Sequence, residues 1–178
     1  MSAKNGVTMR KDRVKSLMSD IRLLTKQDIL IGIPAAGGGR KDKVSGKGKS
    51  RKTIPDNINN AAIGYLMEMG EPAMNLPARP FLVPGVEAIK DKISNRLKKA
   101  ANAAIDGRPE EVEKHLRAAG LQAESSIRAT ITNGDFAPLS ERTIEARRRR
   151  GKTSEKPLID TGQMRRAVTH VIRTKGQK

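Results

Sequence analysis

The stretch whose residue types come closest to known chemistry is GKGKS, at residues 46–50. A P-loop needs a glycine five positions before its Gly-Lys-Ser ending, because backbone amides have to wrap around the phosphate. Lys43 occupies that position, and Arg51 stands where the third glycine of the dinucleotide pattern G-x-G-x-x-G belongs. We therefore expect no nucleotide cofactor here and interpret the segment as a solvated basic loop that orders on a partner.

The two histidines, His115 and His170, are the side chains best suited to metal binding or acid–base catalysis at neutral pH. Neither has a second histidine at i+4 or a carboxylate at metal-ligand spacing, and the chain has no cysteine. The serines lack the G-x-S-x-G context of an activated nucleophile. We expect no catalytic residue, no metal, no cofactor and no enzymatic activity.

The charge balance is strongly basic, since 36 Lys and Arg against 19 Asp and Glu give a net charge of +17 in 178 residues. The charge is +9 over residues 1–60, +1 over 61–107 and +7 over 108–178. Such an excess implies an anionic partner, or a place in an assembly whose acidic neighbours neutralise it. The near-neutral middle is the expected packed centre, and the densest basic clusters are residues 40–52 and 147–150.

A nucleic-acid-binding module is one alternative, because the two basic clusters could neutralise phosphates and give salt-dependent affinity. Single-strand binders, however, stack bases on aromatic side chains, and this chain has one Tyr, two Phe and no Trp. No zinc-finger spacing or recognition-helix signature is present in the sequence. We therefore expect at most non-specific contact with nearby duplex DNA.

The scarcity of aromatic residues predicts a thin core built from Ile, Leu, Val, Met and Ala. Such a chain gains more stability by burying apolar surface against other copies than as a compact monomer. The lack of cysteine excludes a disulfide scaffold, and no apolar run approaches the roughly 18 residues of a membrane span. Since no apolar signal segment opens the sequence, we expect a cytoplasmic protein without a membrane partner.

Hydrophobic periodicity indicates the elements that must position these side chains. It predicts helices over residues 9–26, 58–69, 84–105 and 109–133, and a short helix from Ser140 into the arginine run at 147–150. Apolar and β-branched runs predict strands at 28–34 and 168–174. Residues 35–53 are Gly-rich and basic without a period, which indicates a mobile loop.

The predicted fold class is α+β, with a small antiparallel sheet packed with several helices, plus a long flexible basic loop. We expect a single domain over residues 1–178. The flexible basic loop is placed at 35–56, and a C-terminal strand arm at 157–178.

The predicted helices have defined apolar faces. The helix over 58–69, with Asn57 as its cap and Gly70 as its stop, should bury Ile58, Ala62, Tyr65, Leu66 and Met69. The helix over 109–133 should bury Val112, Leu116, Ala119, Ala123, Ile127 and Ile131.

The segment NLPARPFLVPG, at residues 75–85, is a stiff corner. Pro77, Pro80 and Pro84 each fix one φ angle, so the corner loses little further entropy when it orders. Phe81 is expected to enter the core. Arg79 is well placed for a bidentate contact with a carboxylate, either in another subunit or in its own.

Four stretches appear together in a characteristic order and spacing: DILIGIP (28–34), NAAIGYLMEMGEP (60–72), LPARPFLVPGVE (76–87), and APLSERTIEARR followed by KPLIDTGQMRRAVTHVI (137–172). Together they resemble the tail-completion, or neck, proteins of long-tailed bacteriophages and prophages, a group of virion morphogenesis proteins. The resemblance runs over about four-fifths of the chain. It departs from the family at Met67, where a His or Asn is expected before the acidic residue.

The resemblance implies a non-enzymatic structural protein of the phage neck. It would form a homo-oligomeric ring, most simply a hexamer, that completes the tail and joins it to the head connector. Its partners would be the connector or stopper, the tail terminator and the tail tube, with possible non-specific contact with packaged DNA. The protein would reside in the virion after assembly in the host cytoplasm. A tail-terminator role, capping the tail tube, stays open beside it.

The interface or structural residues that follow from the motifs fall in three groups. The first is Arg79, Pro80 and Phe81 in the proline corner. The second is Asp160, Thr161 and Gly162, interpreted as a turn that orients the last strand or as a contact with a partner. The third is Arg147, Arg148, Arg149 and Arg150, which must point in different directions around a helix and are expected to bind carboxylates of neighbouring subunits.

Overall fold

The computed structural model describes residues 15, 18, 19, 21, 22, 24–35, 43–45, 52–54 and 59–176. Over these residues the fold is α+β, as predicted. The helices with defined bounds are α1 (Asn60–Met69), α2 (Leu82–Glu87), α3 (Lys90–Ile105), α4 (Pro109–Asn133), α5 (Glu141–Arg149) and α6 (Gln163–Ala167). The strands are β1 (Gln27–Gly32), β2 (Lys43–Ser45), β3 (Lys52–Ile54) and β4 (Thr169–Thr174), paired as β1–β4 and β2–β3.

The chain forms two compact units, each assembled from segments that are distant in sequence. The first draws on Met1–Leu30, Ile89–Ala123 and His170–Lys178, and the second on Ile31–Ala88 and Glu124–Thr169. The first 15 residues of α4 therefore count in one unit and the remainder in the other. The single domain expected from the sequence stays a prediction.

The first unit has a core made largely of alanine. Its buried side chains come from α3 and α4, and three apolar side chains outside these helices cover them; the whole set is Ala100, Ala103, Ala104, Val112 and Leu116, with Leu24, Ile29 and Ile172 against it. An alanine buries little apolar area, so each contributes little hydrophobic free energy. This core is as thin as the composition predicted.

The second unit has the larger apolar core, centred on Phe81. This side chain is fully buried together with residues of α4, of α6 and of the segments on either side of α6: Ile127, Ile131, Leu158, Met164 and Val168. Partly buried apolar side chains surround the cluster: Ile31, Ile33, Ile63, Met67, Leu82, Val86, Phe136 and Ile159. Phe81 therefore enters the core, as the proline corner predicted.

Two glycines allow close approach inside the second unit. A Cβ atom on Gly64 would lie 2.8 Å from Cδ1 of Ile33, and a Cβ atom on Gly85 would lie 2.8 Å from Cα of Ile127. Both distances are shorter than van der Waals contact, so no larger residue fits without displacing its neighbour. The contact at Gly85 is with backbone, which cannot move as easily as a side-chain end.

The apolar stripe predicted for residues 109–133 is correct along its whole length. All six of its members are buried: Val112, Leu116, Ala119, Ala123, Ile127 and Ile131. The helix begins at Pro109, a favoured first-turn residue, and ends at Asn133 before Gly134, as predicted. None of the helices in the described part of the chain is long and apolar enough to cross a bilayer.

The buried face predicted for α1 is wrong. Tyr65 and Met69 are 67% and 62% exposed, whereas Asn60, Ile63 and Gly64 face the interior. The physical reason is the close approach at Gly64, which brings the side that carries Ile63, Gly64 and Met67 against Ile33 and Phe81. Tyr65 and Met69 are thus left on the outer side of the helix.

The helix bounds also differ in detail. Asn59 is the N-cap of α1, since its side chain accepts a 2.8 Å hydrogen bond from the Ala62 amide; the predicted cap, Asn57, lies outside the described residues. Gly70 stops α1 as predicted, with a positive φ of 74°. The helix predicted over 84–105 begins earlier, at Leu82, and is interrupted at Ala88 and Ile89, where Ile89 has non-helical angles.

The prediction of an unstructured loop over 35–53 is wrong for the described residues 43–45 and 52–54. These form an antiparallel ladder with Lys43 opposite Ile54, Val44 opposite Thr53 and Ser45 opposite Lys52. Val44, Thr53 and Ile54 are β-branched and favour extended backbone. The prediction gave more weight to the glycines and lysines of this segment than to these three residues. The rest of the predicted loop lies outside the described residues.

The predictions for the two ends of the chain also differ from the structure in part. The C-terminal arm is not a strand throughout, because α6 (Gln163–Ala167) precedes β4. The strand itself is confirmed over Thr169–Thr174 and pairs with β1, which confirms the other predicted strand with shifted bounds. At the other end, residues 15, 18, 19, 21, 22, 24 and 25 are helical as predicted, and the remainder of 9–26 is not described, apart from Lys26.

We expect Phe81→Ala to lower the free energy of unfolding by roughly 3–5 kcal/mol, as other large-to-small changes at fully buried aromatic positions do. The control is Leu121→Ala, because Leu121 is 58% exposed and should change stability by less than about 0.5 kcal/mol. Urea denaturation followed by circular dichroism measures both. Equal effects of the two variants would contradict the placement of Phe81 in the core.

Candidate functional site

The carboxylate of Glu68 caps the first turn of α2. It accepts hydrogen bonds from the amides of Phe81, Leu82 and Val83 at 2.7, 2.9 and 3.1 Å. A helix leaves its first amides without partners in the helix, and a negative charge at this end is also favoured by the helix dipole. One side chain from α1 therefore holds the start of α2 in place.

The proline corner leaves none of the described amides from Arg79 to Gly85 without a partner. The Arg79 amide donates to the Met67 carbonyl at 2.7 Å, and Gly85 donates to the Phe81 carbonyl at 3.2 Å. Pro80 and Pro84 have no N–H to satisfy. With the three bonds to Glu68, every donor in this stretch is accounted for.

The guanidinium of Arg79 fastens the same corner to the segment that precedes α5. The side chain is 3% exposed, and its Nε and Nη2 donate to the carbonyls of Ala137 and Pro138 at 2.7 and 2.8 Å. We call Glu68 and Arg79, with the backbone atoms that they bind, the corner clamp. It joins the segments around residues 68, 79–83 and 137–138.

The expected carboxylate partner of Arg79 is not the observed one. Two carbonyls of its own chain occupy the planar fork of the guanidinium, which suits two parallel acceptors as well as it suits a carboxylate. Burial lowers the pKa of Arg79, and the nearby charge of Arg147 lowers it further. An arginine still remains charged in proteins, so the carbonyl dipoles must compensate a buried positive charge.

Arg147 is a second buried arginine and holds a second loop. It is 6% exposed, and its Nη1 donates to the carbonyls of Ser154, Lys156 and Ile159 at 3.0, 2.8 and 3.2 Å. These bonds fix the chain between α5 and α6. The prediction that Arg147 binds carboxylates of neighbouring subunits is therefore wrong, because its donors face its own backbone.

The other three arginines of the run point elsewhere, as the helix geometry required. Arg148 pairs with Glu155 at 2.8 Å, Arg149 with Glu145 at 3.2 Å, and Arg150 lies 3.7 Å from Asp160. All three are exposed, and such surface pairs contribute about 0–1 kcal/mol each. The run combines one buried structural arginine with three arginines on the surface.

Asp160 lies among basic side chains at the turn before α6. Its carboxylate receives a hydrogen bond from Lys152 and lies near Arg150 and Arg147. Gly162 follows with a positive φ of 71°, a conformation in which a Cβ atom is strained. The Thr161 carbonyl accepts a 3.2 Å hydrogen bond from Arg166. These residues shape the turn into α6, the helix that precedes β4.

The two histidines, His115 and His170, both lie in the first unit. In the part of the chain that the structure describes, no group of three His, Cys, Asp or Glu residues could hold a metal ion. The His170 imidazole packs directly on Gly120, where a Cβ atom would clash with the ring.

Glu68 is the functional residue that sequence reasoning missed. It lies 13–15 residues from the amides that it binds, so no local capping pattern marks it. A usable signal existed: Glu68 is the single acid on the ten-residue helix α1, two residues before the stop at Gly70. The preceding residue, Met67, accepts a hydrogen bond from the Arg79 amide through its carbonyl, and its sulfur lies 4.0 Å from Nη1 of Arg79.

Comparison with known proteins adds no relative: no protein-family model, curated protein or solved structure matches this chain.

We expect Arg79→Gln to destabilise the fold clearly. The change leaves two partly buried carbonyls without their charged donor, and each unsatisfied buried group costs about 1–3 kcal/mol. Arg149→Gln is the matched control, because it removes the same charge from a side chain that is 80% exposed. In urea unfolding, Arg79→Gln should have a lower midpoint than Arg149→Gln. If Arg79→Gln unfolds with the wild-type midpoint, the corner clamp does not hold the fold.

A pH dependence follows from Asp160. Partial burial alone would raise the pKa of this carboxyl, but the Lys152 hydrogen bond and the charges of Lys152, Arg150 and Arg147 outweigh it, so the pKa lies below its usual value. A lowered folded-state pKa gives stability that is present above about pH 4 and lost as pH falls through the folded pKa.

The Asp160→Asn variant should therefore be less stable than wild type at pH 7, and this difference should shrink toward pH 2. Thermal unfolding across the pH range measures it. A difference that stays constant with pH would show that the carboxylate charge contributes nothing. Glu155→Gln, at an exposed pair, is the control that should show little difference at either pH.

Proposed function

We propose that this protein is a structural subunit of a bacteriophage neck, forming a ring that completes the tail and joins it to the head connector. One observation carries the proposal: the separate segments behind the resemblance converge on one core and one clamp. The core around Phe81 receives side chains from all four stretches: Ile31 and Ile33, Ile63 and Met67, Phe81 and Leu82, and Leu158, Ile159 and Met164.

This convergence supports the resemblance for a physical reason. Unrelated short motifs that match a family by chance have no cause to contact one another. Here Glu68 of the second segment binds amides of the third, and Arg79 of the third binds carbonyls at Ala137 and Pro138. The motifs are therefore parts of one set of interactions, as the parts of a family signature should be.

An exposed apolar face in the second unit favours assembly into an oligomer over a monomeric state. Tyr65 and Met69 lie one turn apart on α1 and so share a face, and both are mostly exposed. Met74 and Val83 of the same unit are 74% and 59% exposed. Contiguous exposed apolar side chains mark interaction surfaces, and Tyr65 and Met69 are contiguous on one helix face. In the proposed ring this face contacts the next copy of the chain.

The chemistry of the second unit fits a structural role better than catalysis. Two of its buried charged groups, Arg79 and Arg147, donate to backbone carbonyls, and the third, Glu124, pairs with Arg128. Catalytic groups instead need to face a substrate. In this proposal the protein is not an enzyme and needs no cofactor, and it resides in the virion after assembly in the host cytoplasm.

The assembly face can be tested with the double variant Tyr65→Ser/Met69→Ser. We expect wild type to elute as an oligomer in size-exclusion chromatography with light scattering and the variant to elute as a monomer with an unchanged far-UV circular dichroism spectrum. The control, Ile105→Ser/Leu121→Ser, alters apolar residues that are similarly exposed in the first unit, at 57% and 58%, and should remain oligomeric. A monomeric wild type at all concentrations would contradict the ring.

The neck role itself is tested by deleting the gene in its virus and imaging the lysate by negative stain. Separate full heads and tails of normal length are the expected result, and the wild-type chain should restore joining. Tails of uncontrolled length would assign the protein to termination of the tail tube instead. Normal virions in the deletion strain would overturn both roles.

A further inference from the structure

Three arginines line one shallow groove in the second unit. The groove has a volume of about 620 Å³ and is lined by Arg128, Ala129, Thr132 and Asn133 of α4, together with Arg165 and Arg166 of α6. None of these residues is part of the corner clamp. We call this surface the arginine groove.

Hydrogen bonds to the protein hold the three guanidiniums in position. Arg128 donates to the Val168 carbonyl at 2.6 Å, Arg165 to the Thr132 hydroxyl at 3.1 Å, and Arg166 to the Thr161 carbonyl at 3.2 Å. Each of these bonds uses one nitrogen of a group that carries five N–H donors. The side chains are thus positioned in advance without exhausting their capacity to bind a ligand.

The charge of the arginine groove is only partly neutralised. Arg128 pairs with Glu124 at 3.0 Å, but among the described residues neither Arg165 nor Arg166 has a carboxylate within ion-pair distance. In addition, Nε of Arg128 is buried and has no hydrogen-bond acceptor. The positive charge at this surface therefore exceeds the negative charge among the described residues, which favours an anionic ligand.

The helix end beside the groove does not oppose an anion. The C-terminal carbonyls of α4 carry partial negative charge, which by itself would repel a phosphate or carboxylate. Lys156 donates to the Thr132 carbonyl at 2.8 Å and so offsets that charge. Because Lys156 offsets the charge of the helix end, Arg165 and Arg166 remain available to bind a ligand.

The arrangement suits phosphate better than carboxylate. A carboxylate is planar and matches one arginine fork, whereas a phosphodiester presents acceptors in several directions and can meet separate guanidiniums. Thr132 and Asn133 add polar groups of the kind that contact phosphate oxygens in nucleic-acid complexes. The net charge of +17 would attract a polyanion from a distance.

We propose that the arginine groove, through Arg128, Arg165 and Arg166, binds the phosphate backbone of duplex DNA without reading its sequence. The inference does not depend on the neck role, since it rests on the groove alone. The contacts would position DNA against the second unit through charge-assisted hydrogen bonds. Bases would not be read, because the guanidiniums meet only the backbone.

The test is fluorescence anisotropy of a labelled duplex with the full chain over a series of salt concentrations. The groove variant is Arg165→Gln/Arg166→Gln. The charge-matched control is Arg108→Gln/Arg117→Gln, because both arginines are exposed in the first unit and already pair with carboxylates. Each lost phosphate contact should lower the salt slope by about 1, so the groove variant should lose about 2 in slope and the control far less.

Equal losses in the two variants would show that only net charge matters and would overturn the site. Competition by polyglutamate as strong as by duplex, and lost in the groove variant, would assign the groove to an acidic protein partner. Groove-dependent binding of inorganic phosphate with unchanged duplex affinity would restrict it to free phosphate. Either outcome overturns the proposal of DNA.

A folding defect in the double variant would not leave the proposal untested. Arg166→Gln alone removes a single bond to the Thr161 carbonyl and should still lower the salt slope by about 1. The charge-preserving variant Arg165→Lys/Arg166→Lys should retain most of the slope. A slope unchanged in a folded Arg166→Gln protein would overturn the participation of that residue.

Discussion

The interaction on which the second unit depends is the buried contact between the Arg79 guanidinium and the carbonyls of Ala137 and Pro138. Together with the three amide bonds to Glu68, it fixes a corner that prolines have already restricted. The prolines restrict the conformation of the corner, and the corner in turn places Phe81 in the core. Arg147 repeats the same device in the loop after α5.

This use of buried charge follows from the composition. With three aromatic residues in the chain, only Phe81 supplies a large, fully buried aromatic ring. Polar clamps then define how the segments meet, although a buried charge is costly unless every donor is satisfied. Carbonyl acceptors within the subunit itself offset part of that cost for Arg79 and Arg147. The clamped subunit can keep other apolar residues, such as Tyr65 and Met69, on its surface.

The sequence was most informative where a pattern is long and local. The stripe of α4 repeats along most of a 25-residue helix, so its buried side could be predicted residue by residue. Gly70 marked the end of α1 correctly because a positive φ is a local requirement. Fold class followed from the order of such elements.

Predictions failed where a contact with a residue distant in the sequence determines which side chains are buried or bound. The inner side of α1 is set by the approach of Ile33 to Gly64, and periodicity favours large residues over a glycine. The partners of Arg79 and Arg147 are carbonyls, which every residue possesses, so charge pattern alone points to carboxylates instead. Glu68 acts across a chain reversal that no capping rule covers.

Hydrogen exchange of the free, monomeric chain tests the central claim most directly. If the corner clamp belongs to the subunit itself, the amides of Phe81, Leu82 and Val83 should exchange as slowly as those in the middle of α4, before any assembly takes place. Fast exchange at these three amides in the monomer, with protection gained only in the oligomer, would contradict it. The clamp would then be a product of assembly and not the interaction that holds the fold.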